Sequence, residues 1–329
     1  MGDRAIQTAD MPKEWRTRKV RTRALNKRLS YVRRHWMLLA MVVPGMLYLF
    51  INNYLPMFGI VIAFKDINFA KGIWQSDWIG FDNFAYLFQT QDAWVITRNT
   101  ILYNGAFIIL GTVIAIFVAI LLNEVKNRFF SRLYQSIILL PYLISMVIVA
   151  YLVLALLNEE NGYMNRYVLP LLGLDPVSWY SDAGKWPYIL TLVHLWKTVG
   201  YSCIVYLAAI VGINQEYYES AMLDGASKWR QIRSITIPLI TPTITIMTLL
   251  AIGRIFSSDF GLFYQVPLNS GALQPTTDVI DTYVYRGLMT FGDFGMSSAA
   301  GLYQSVVGFA LVLFTNALVR RKNRDLALF

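Results

Sequence analysis

Two basic side chains, Lys197 and Arg254, fall inside long apolar stretches of this 329-residue chain. A charge in such surroundings needs a partner or water, and an ammonium or guanidinium offers charge-assisted hydrogen bonds to an anion. His194 lies one helical turn before Lys197 and Tyr201 one turn after it, so the three are expected to share a helix face. This spacing favours a site for an anionic or strongly hydrogen-bonding ligand, with Arg254 as a further candidate. The alternatives are a structural pair for Lys197 and snorkelling of either side chain to an interface.

Residues that commonly carry catalysis are scarce. The chain has only two histidines, His35 and His194, and a single cysteine, Cys203. Neither a H-E-x-x-H zinc site, nor a histidine-dependent triad, nor a cysteine-based metal site can be assembled from them. No G-x-x-x-x-G-K-[ST] phosphate-binding loop occurs either. The chain is therefore predicted not to be an enzyme and to bind no metal and no cofactor of its own.

The apolar stretches that contain these residues define the class of protein. Hydrophobic residues make up 56% of the chain, charged residues only 15%, and the mean hydropathy is +0.45. A helix needs roughly 20 apolar residues to cross the hydrocarbon core of a bilayer. We therefore predict an all-α polytopic membrane protein with six transmembrane helices. The predicted spans are Trp36–Phe64, Ile96–Leu122, Leu133–Leu157, Trp186–Gly212, Pro238–Phe256 and Ser298–Val319.

The distribution of Lys and Arg predicts the orientation of the chain. Twenty-one of these residues lie in the N-terminal arm 1–35, the loops 123–132 and 213–237, and the tail 320–329, against six in the loops on the opposite side. The positive-inside rule then places both termini in the cytoplasm. A basic arm can indicate nucleic-acid binding, but next to a spanning helix it is more typical of contact with anionic lipid headgroups. We predict membrane lipid, and no nucleic acid, as its partner.

The cytoplasmic loop 213–237 carries the signals of a helix, a turn and a second helix. Asn214 is a candidate N-cap, Gly225 can adopt the left-handed conformation that ends a helix, and Ser227 is a second N-cap. Pro238 is expected to mark the return to the membrane. The exposed apolar residues would need a protein surface to cover them, and the carboxylates would bond to basic residues of that surface. The alternative is an amphipathic loop lying on lipid headgroups. The residues concerned are Tyr218, Glu219, Ala221, Met222, Asp224 and Trp229.

This loop resembles the EAA loop of type I ABC importer permeases. Glu219, Ala221, Gly225, Ile235 and Pro238 match that motif in spacing, while Ser220 replaces its usual second alanine. The resemblance implies the MetI-like permease fold, with the first span 36–64 at the periphery and the spans within 96–319 forming the core of the transmembrane domain 36–329. It also implies that the loop is a coupling helix that docks on an ATPase subunit. The implied coupling residues are Glu219, Ala221, Met222, Asp224, Gly225, Ala226, Trp229, Ile235 and Pro238.

Other segments are similar to the oligosaccharide branch of this family, the LplB- and AlgM-type permeases. They are Gly80–Phe84, Leu140–Pro141, Asp278–Arg286 and Tyr303–Gly308. The resemblance implies an importer of the bacterial inner membrane with two ATPase subunits, which bind Mg-ATP, a second homologous permease in a heterodimer, and an extracytoplasmic solute-binding protein. The long external stretch 257–296 is a candidate docking surface for the binding protein.

The basic groups in the spans bear on the cargo. Two basic side chains without a deep carboxylate favour acidic saccharides, such as uronate oligomers from alginate or pectin, recognised by His194, Lys197, Tyr201 and Arg254. Neutral oligosaccharides carried by the same mechanism are the alternative. An ion-coupled secondary carrier and a non-transporting scaffold or channel subunit are further alternatives, although a carrier usually has carboxylates deep in its spans.

Overall fold

The structure, a computed structural model, describes residues 34–322 and residue 327. Most of the arm 1–35 and of the tail 320–329 therefore lies outside the described residues. The chain divides into two compact units, Met1–Val61 and Ile62–Phe329.

The described part of the first unit is helical and almost wholly apolar. Helix α1 (Trp36–Leu49) continues through a π-helical turn, Phe50–Tyr54, into a 3-10 segment, Leu55–Phe64. The whole run Trp36–Phe64 is long and apolar enough to cross a membrane, which confirms the first predicted span as a spanning-length helix.

The second unit begins with a small antiparallel hairpin and is otherwise helical. Strands β1 (Lys65–Asp66) and β2 (Asp77–Trp78) pair with Lys65 opposite Trp78, and helix α2 (Gly72–Gln75) lies between them. The remaining helices are α3 (Asp82–Gln89), α4 (Gln91–Asn123), α5 (Arg128–Leu143), α6 (Met146–Leu157), α7 (Leu169–Leu171), α8 (Trp186–Val211), α9 (Gln215–Leu223), α10 (Lys228–Gln231), α11 (Ile237–Ile252), α12 (Phe260–Gln265), α13 (Gln274–Thr277), α14 (Ile280–Arg286) and α15 (Phe294–Lys322).

Shorter turns connect or extend these helices. The 3-10 turns are Ala183–Lys185 and Gly271–Leu273, and the π-helical turns are Met164–Val168, Ile232–Thr236 and Gly287–Phe291.

Four helical runs of the second unit have the length and composition of membrane spans. They are α4, α8 with its preceding turn, the run Lys228–Ile252 and α15, and they correspond to the second, fourth, fifth and sixth predicted spans. The high hydropathy and the scarcity of charge in these runs are what a helix surrounded by lipid and other helices requires.

The third predicted span, Leu133–Leu157, is not a straight helix. Helices α5 and α6 meet at an angle of 94°. Ile144 and Ser145 have extended backbones at the break, and the Ser145 hydroxyl accepts a hydrogen bond from the Ile148 amide to begin α6. The predicted span is therefore a bent pair of helices, and its apolar composition alone does not reveal the bend.

The core of the second unit lies between its long helices. Helix α4 packs along α8, and the buried Ala115, Ala119 and Cys203 keep the two backbones close. A second cluster joins α4 and α8 to α6 and α12 through Phe107, Trp186 and Phe263, among others. The pair α4 and α8 also supplies most of the lining of the cavity described below.

Candidate functional site

The first half of the loop 213–237 has the local structure that the sequence predicts. Helix α9 begins at Asn214, whose side-chain oxygen accepts a hydrogen bond from the Glu216 amide at 3.1 Å. The chain leaves the helix through Gly225, which has a φ of +74°. The Ala226 amide donates to the Ala221 carbonyl oxygen at 2.8 Å, a bond that closes the end of the helix. The helix and its glycine turn are confirmed.

The second half begins as the sequence predicts and continues into the next span. The Ser227 hydroxyl accepts from the Arg230 amide and begins α10, as expected. The helix does not end at Pro238, however, but runs continuously from Lys228 to Ile252. A π-helical turn, Ile232–Thr236, widens the helix just before the proline. That wider turn accommodates a residue that lacks an amide hydrogen, so Pro238 lies within a helix that joins the loop directly to the membrane.

Two hydrogen bonds hold the loop together internally, and one ion pair attaches it to the rest of the unit. The Tyr218 and Thr236 hydroxyls share a hydrogen bond at 2.9 Å, and the Gln231 amide donates to the Ala226 carbonyl oxygen at 3.0 Å. The Lys228 ammonium forms an ion pair with Glu124, at the end of α4, at 3.1 Å. The loop is thus held on one side by the helices from which it projects, and Ile235 is half-buried on that side.

The opposite side of the loop is uncovered. Leu223 is 90% exposed, Trp229 71% and Met222 53%. The carboxylates of Glu219 and Asp224 are also exposed, and neither has a hydrogen-bond or ion-pair partner among the described residues. An apolar patch flanked by unpaired carboxylates is complementary to a protein surface that has an apolar groove and basic residues.

A cavity of about 250 Å³ lies between α4, α8, α11 and the turn that follows α11. His194 and Arg254, two of the four residues predicted for the substrate path, line it. The His194 ring stacks on Phe107 of α4 with centroids 3.7 Å apart. The remaining polar lining carries hydroxyl and amide groups. These residues are Asn104, Thr112, Thr198, Ser202, Tyr206 and Ser257.

The Arg254 guanidinium is exposed and has no acceptor among the described residues. Its cavity therefore combines an unpaired cation with several hydrogen-bonding groups, a combination that suits an anionic, hydroxyl-rich ligand.

The other two predicted path residues have different neighbours. The Lys197 ammonium donates to the carbonyl oxygens of Pro141, Tyr142 and Ile144, at the break between α5 and α6. The Tyr201 ring stacks on Tyr142 with centroids 4.8 Å apart. The helical spacing that groups these residues with His194 is present, but the long side chains turn towards α5, whereas His194 turns towards α4.

Several polar residues that the prediction passed over organise the region beside the cavity. The Asn104 amide donates to the Ile255 carbonyl oxygen at 2.9 Å and to the Ser258 hydroxyl at 3.2 Å. The Asp281 carboxylate accepts from the Ser258 amide at 2.7 Å and from Gln304 at 3.1 Å. Asn104 and Gln304 lie in apolar stretches, and a lone amide in such a stretch is the signal that would have identified them.

The same region explains the aspartate and tyrosine motif Asp278–Arg286. Asp278 pairs with Arg286 across α14, and the Thr282 hydroxyl donates to Asp278 at 2.5 Å. The pair is buried, with 9% and 12% of the two side chains exposed. Burial raises the pKa of the Asp278 carboxyl above its ordinary value, and Arg286 opposes that rise. The motif therefore fixes α14 through a buried ion pair.

Comparison with known proteins identifies the class. Residues 111–324 match the family described as binding-protein-dependent transport system inner membrane component. Protein LplB of Bacillus subtilis (strain 168) is 34% identical over 90% of this chain and 92% of its own length. The polygalacturonan/rhamnogalacturonan transport system permease protein YteP of the same strain is 32% identical over 85% of this chain and 87% of its own.

Solved structures agree with the sequence relatives. A chain in the crystal structure of a bacterial ABC transporter involved in the import of the acidic polysaccharide alginate superimposes with a TM-score of 0.83. It is 35% identical and covers 90% of this chain and 99% of its own length. A chain of the bacterial alginate ABC transporter in complex with an alginate pentasaccharide-bound periplasmic protein gives a TM-score of 0.81 at 34% identity, over 89% of this chain and 96% of its own.

Together with these comparisons, the helical spans, the projecting helix–turn–helix loop and the polar cavity define this chain as the membrane subunit of a transporter. The chain belongs to the family of binding-protein-dependent transport system inner membrane components. It is a sugar ABC importer permease of the inner membrane, with several spans and no enzymatic activity of its own. The ion-coupled carrier and the scaffold or channel alternatives are therefore wrong.

Proposed function

We propose that this permease imports acidic oligosaccharides, of the uronate type found in alginate or pectin fragments, and that Arg254 contacts a carboxylate of the cargo. The observation that carries the proposal is the Arg254 guanidinium, which lines the cavity without an acceptor among the described residues. A guanidinium binds a carboxylate through two parallel hydrogen bonds, a geometry that an ammonium lacks.

The rest of the cavity suits the sugar part of such a ligand. Hydroxyls of Thr112, Thr198, Ser202 and Ser257 line it, and sugar hydroxyls bond well to groups of this kind. The same lining would also serve a neutral oligosaccharide, which remains the second candidate. The names of two relatives favour the acidic one, because they refer to alginate and to polygalacturonan.

A transport assay on the reconstituted complex separates the two candidates. Acidic and neutral oligosaccharides of equal length are compared in wild type, Arg254→Gln and Arg254→Lys. We expect Arg254→Gln to raise KM for the acidic substrate about tenfold or more and to leave the neutral substrate unchanged, since only the former loses a charged hydrogen bond. Arg166→Gln, which removes an exposed arginine of the loop 158–185, is the matched control. Equal KM changes for both substrates would overturn the assignment.

We further propose that the loop 213–237 docks on an ATPase subunit. Its uncovered apolar side chains need a partner, and Glu219 and Asp224 offer unpaired carboxylates to basic residues. ATP-driven closure of the ATPase would move the loop, and the continuous helix Lys228–Ile252 would carry that movement to the cavity that its membrane half lines. The loop can do this only if it is bound differently in the two states.

The proposed assembly contains two ATPase subunits, which bind Mg-ATP, this chain and a second homologous permease. The first span, 36–64, lies at its periphery, both termini lie in the cytoplasm, and the binding protein docks on the external stretch 257–296. The charge asymmetry of twenty-one basic residues against six supports this orientation. The family description and the alginate transporter bound to a periplasmic protein support the external partner.

Co-purification tests the coupling role of the loop. The ATPase subunit should be retained by the wild-type permease and lost on Glu219→Lys or Gly225→Pro. The first change reverses a charge, and the second places proline at a φ of +74° that its ring forbids. Asp175→Lys reverses an exposed carboxylate in the loop 158–185 and serves as the control. Transport that is unaffected by both loop changes would refute the coupling role.

A further inference from the structure

The break between α5 and α6 poses a hydrogen-bonding problem. The last carbonyl oxygens of a helix have no amide donor within that helix, and the hydrocarbon core holds no water to replace it. The two helices qualify as a membrane span only as a bent pair, so their break at Ile144 and Ser145 falls within the spanning segment. The Ile144 amide reaches the Pro141 carbonyl oxygen at 3.3 Å, and the other carbonyl groups at the end of α5 require a donor from another part of the chain.

Lys197 supplies that donor. Its ammonium bonds to the carbonyl oxygens of Pro141 at 3.2 Å and Tyr142 at 3.3 Å, and to that of Ile144. An ammonium has three N–H donors, and three acceptors are present. A cation at the C-terminus of a helix also interacts favourably with the helix dipole. Lys197 thus has its full set of acceptors without any ligand.

The same side of α8 is fitted to α5 over the next turn. A Cβ atom on Gly200 would overlap the Ile138 carbonyl oxygen, so glycine permits direct backbone contact. Tyr201 stacks on Tyr142 with an interplanar angle of 15°. The Lys197 ammonium, Gly200 and the Tyr201 ring together hold the end of α5 against α8.

The direction of α6 depends on this contact, and α6 in turn supports the cavity. Val149 and Val153 of α6 belong to the same buried cluster as Phe107 and Phe263. Phe107 is the ring on which His194 stacks, and both residues line the cavity. A contact path therefore runs from Lys197 through α6 to the cavity wall.

We propose that Lys197 is a positioning residue that caps the half-helix α5 and fixes the 94° break, and that it does not contact the saccharide. The proposal goes beyond the assignment of Arg254 and differs from the interpretation in which both basic residues bind cargo. It predicts that Lys197 affects turnover for every substrate alike, whereas Arg254 affects binding of acidic substrates.

The transport test uses Lys197→Met, which keeps the length of the side chain and removes its charge, and Lys197→Arg, which keeps the charge. We expect Lys197→Met to lower kcat about tenfold for acidic and neutral oligosaccharides alike with KM nearly unchanged, and Lys197→Arg to recover most of the turnover. Tyr188→Phe, a change at an exposed position near the start of the same helix, is the control and should behave as wild type. A Lys197→Met variant with a raised KM for acidic substrates alone would overturn the proposal.

A distance measurement tests the cap without any substrate. Spin labels replace the exposed Leu140 on α5 and Leu152 on α6, in a Cys203→Ala background that removes the only native cysteine. A straight helix would separate the two Cα atoms by about 18 Å, and the bend shortens that distance. We expect a narrow distribution in the wild type and a broader one, extended to longer distances, in Lys197→Met.

An unchanged distribution in Lys197→Met would overturn the cap. The distance measurement does not depend on the substrate proposal. If the wild-type complex transported no acidic oligosaccharide, the proposed role of Arg254 would be refuted, but the distances in Lys197→Met would still test the cap.

Discussion

The Cα atom of Gly200 on α8 lies directly against the carbonyl oxygen of Ile138 on α5, so close that a methyl group on residue 200 would overlap this oxygen. Small residues allow such close contact between membrane helices. We predict that Gly200→Ala separates the helices and lowers the free energy of unfolding by about 1–3 kcal/mol, the usual cost of overpacking. The thermal midpoint of the purified permease measures this. Gly105→Ala on α4 is the control, because no atom lies within 4 Å of an added Cβ there, and it should be tolerated.

The buried pair of Asp278 and Arg286 leads to a second prediction. Replacing Arg286 by Met leaves the Asp278 carboxylate buried without its cation. Removing one partner of a buried ion pair typically costs about 3–5 kcal/mol, so Arg286→Met should unfold at a clearly lower temperature at neutral pH. The double variant Asp278→Asn, Arg286→Met should recover part of the loss, since no charge is then buried. A double variant less stable than Arg286→Met alone would contradict this explanation.

The pH dependence of stability follows from the same carboxyl group. Burial raises the pKa of Asp278 above its ordinary value of 3.8, so the folded state binds its proton more readily than the unfolded state. Its contribution to stability is therefore complete below that ordinary value and is lost as the pH rises through the raised pKa. Arg286→Met removes a group that lowers this pKa, so the variant should continue to lose stability at pH values where that of wild type has levelled off. Asp278→Asn should abolish the difference in slope.

Substitutions of two tryptophans distinguish an effect on ATPase docking from an effect on folding stability. Trp229 on the coupling loop is 71% exposed, whereas Trp186 at the start of α8 is fully buried and donates its indole N–H to the Trp179 carbonyl oxygen at 2.7 Å. We predict that Trp229→Ala leaves the thermal midpoint unchanged and reduces the amount of ATPase that co-purifies. Trp186→Ala should instead cost about 3–5 kcal/mol of stability. A Trp229→Ala variant that retained the ATPase in full would show that the exposed indole is not part of the docking surface.

Substitutions milder than Gly225→Pro test the conformation of the turn in the loop 213–237. Gly225 has a φ of +74°, a conformation that costs a residue with a Cβ atom about 1–2 kcal/mol and that asparagine adopts more readily than alanine. We expect ATP-driven transport to decrease in the order Gly225, Gly225→Asn, Gly225→Ala. Transport rates at matched expression measure it, and equal rates for the three proteins would mean that the turn conformation does not limit coupling.

The features that could be predicted from the sequence are those set by neighbouring residues. The side chains of Asn214 and Ser227 accept hydrogen bonds from backbone amides two and three positions away, and the turn depends on Gly225 itself. All three features are present. The spanning helices follow from continuous apolar composition, which is also local information.

The features that escaped prediction depend on distant partners. The break at Ile144 is invisible to hydropathy because its donor, Lys197, lies 53 residues further along the chain. The helix continues past Pro238 because a π-helical turn precedes it, which the proline alone does not reveal. Arg254 could be recognised as an unusual charge, but only the packing shows that it has no partner among residues 34–322.

The cap on α5 also constrains the order in which the chain can mature in the membrane. Helices α5 and α6 leave the ribosome before α8, so the carbonyl groups of Pro141, Tyr142 and Ile144 enter the bilayer before their ammonium donor has been synthesised. Until α8 inserts, a straight α5–α6 helix is the arrangement that satisfies its own backbone. If Lys197 fixes the bend as proposed, the 94° angle would form only after the fourth span has been inserted.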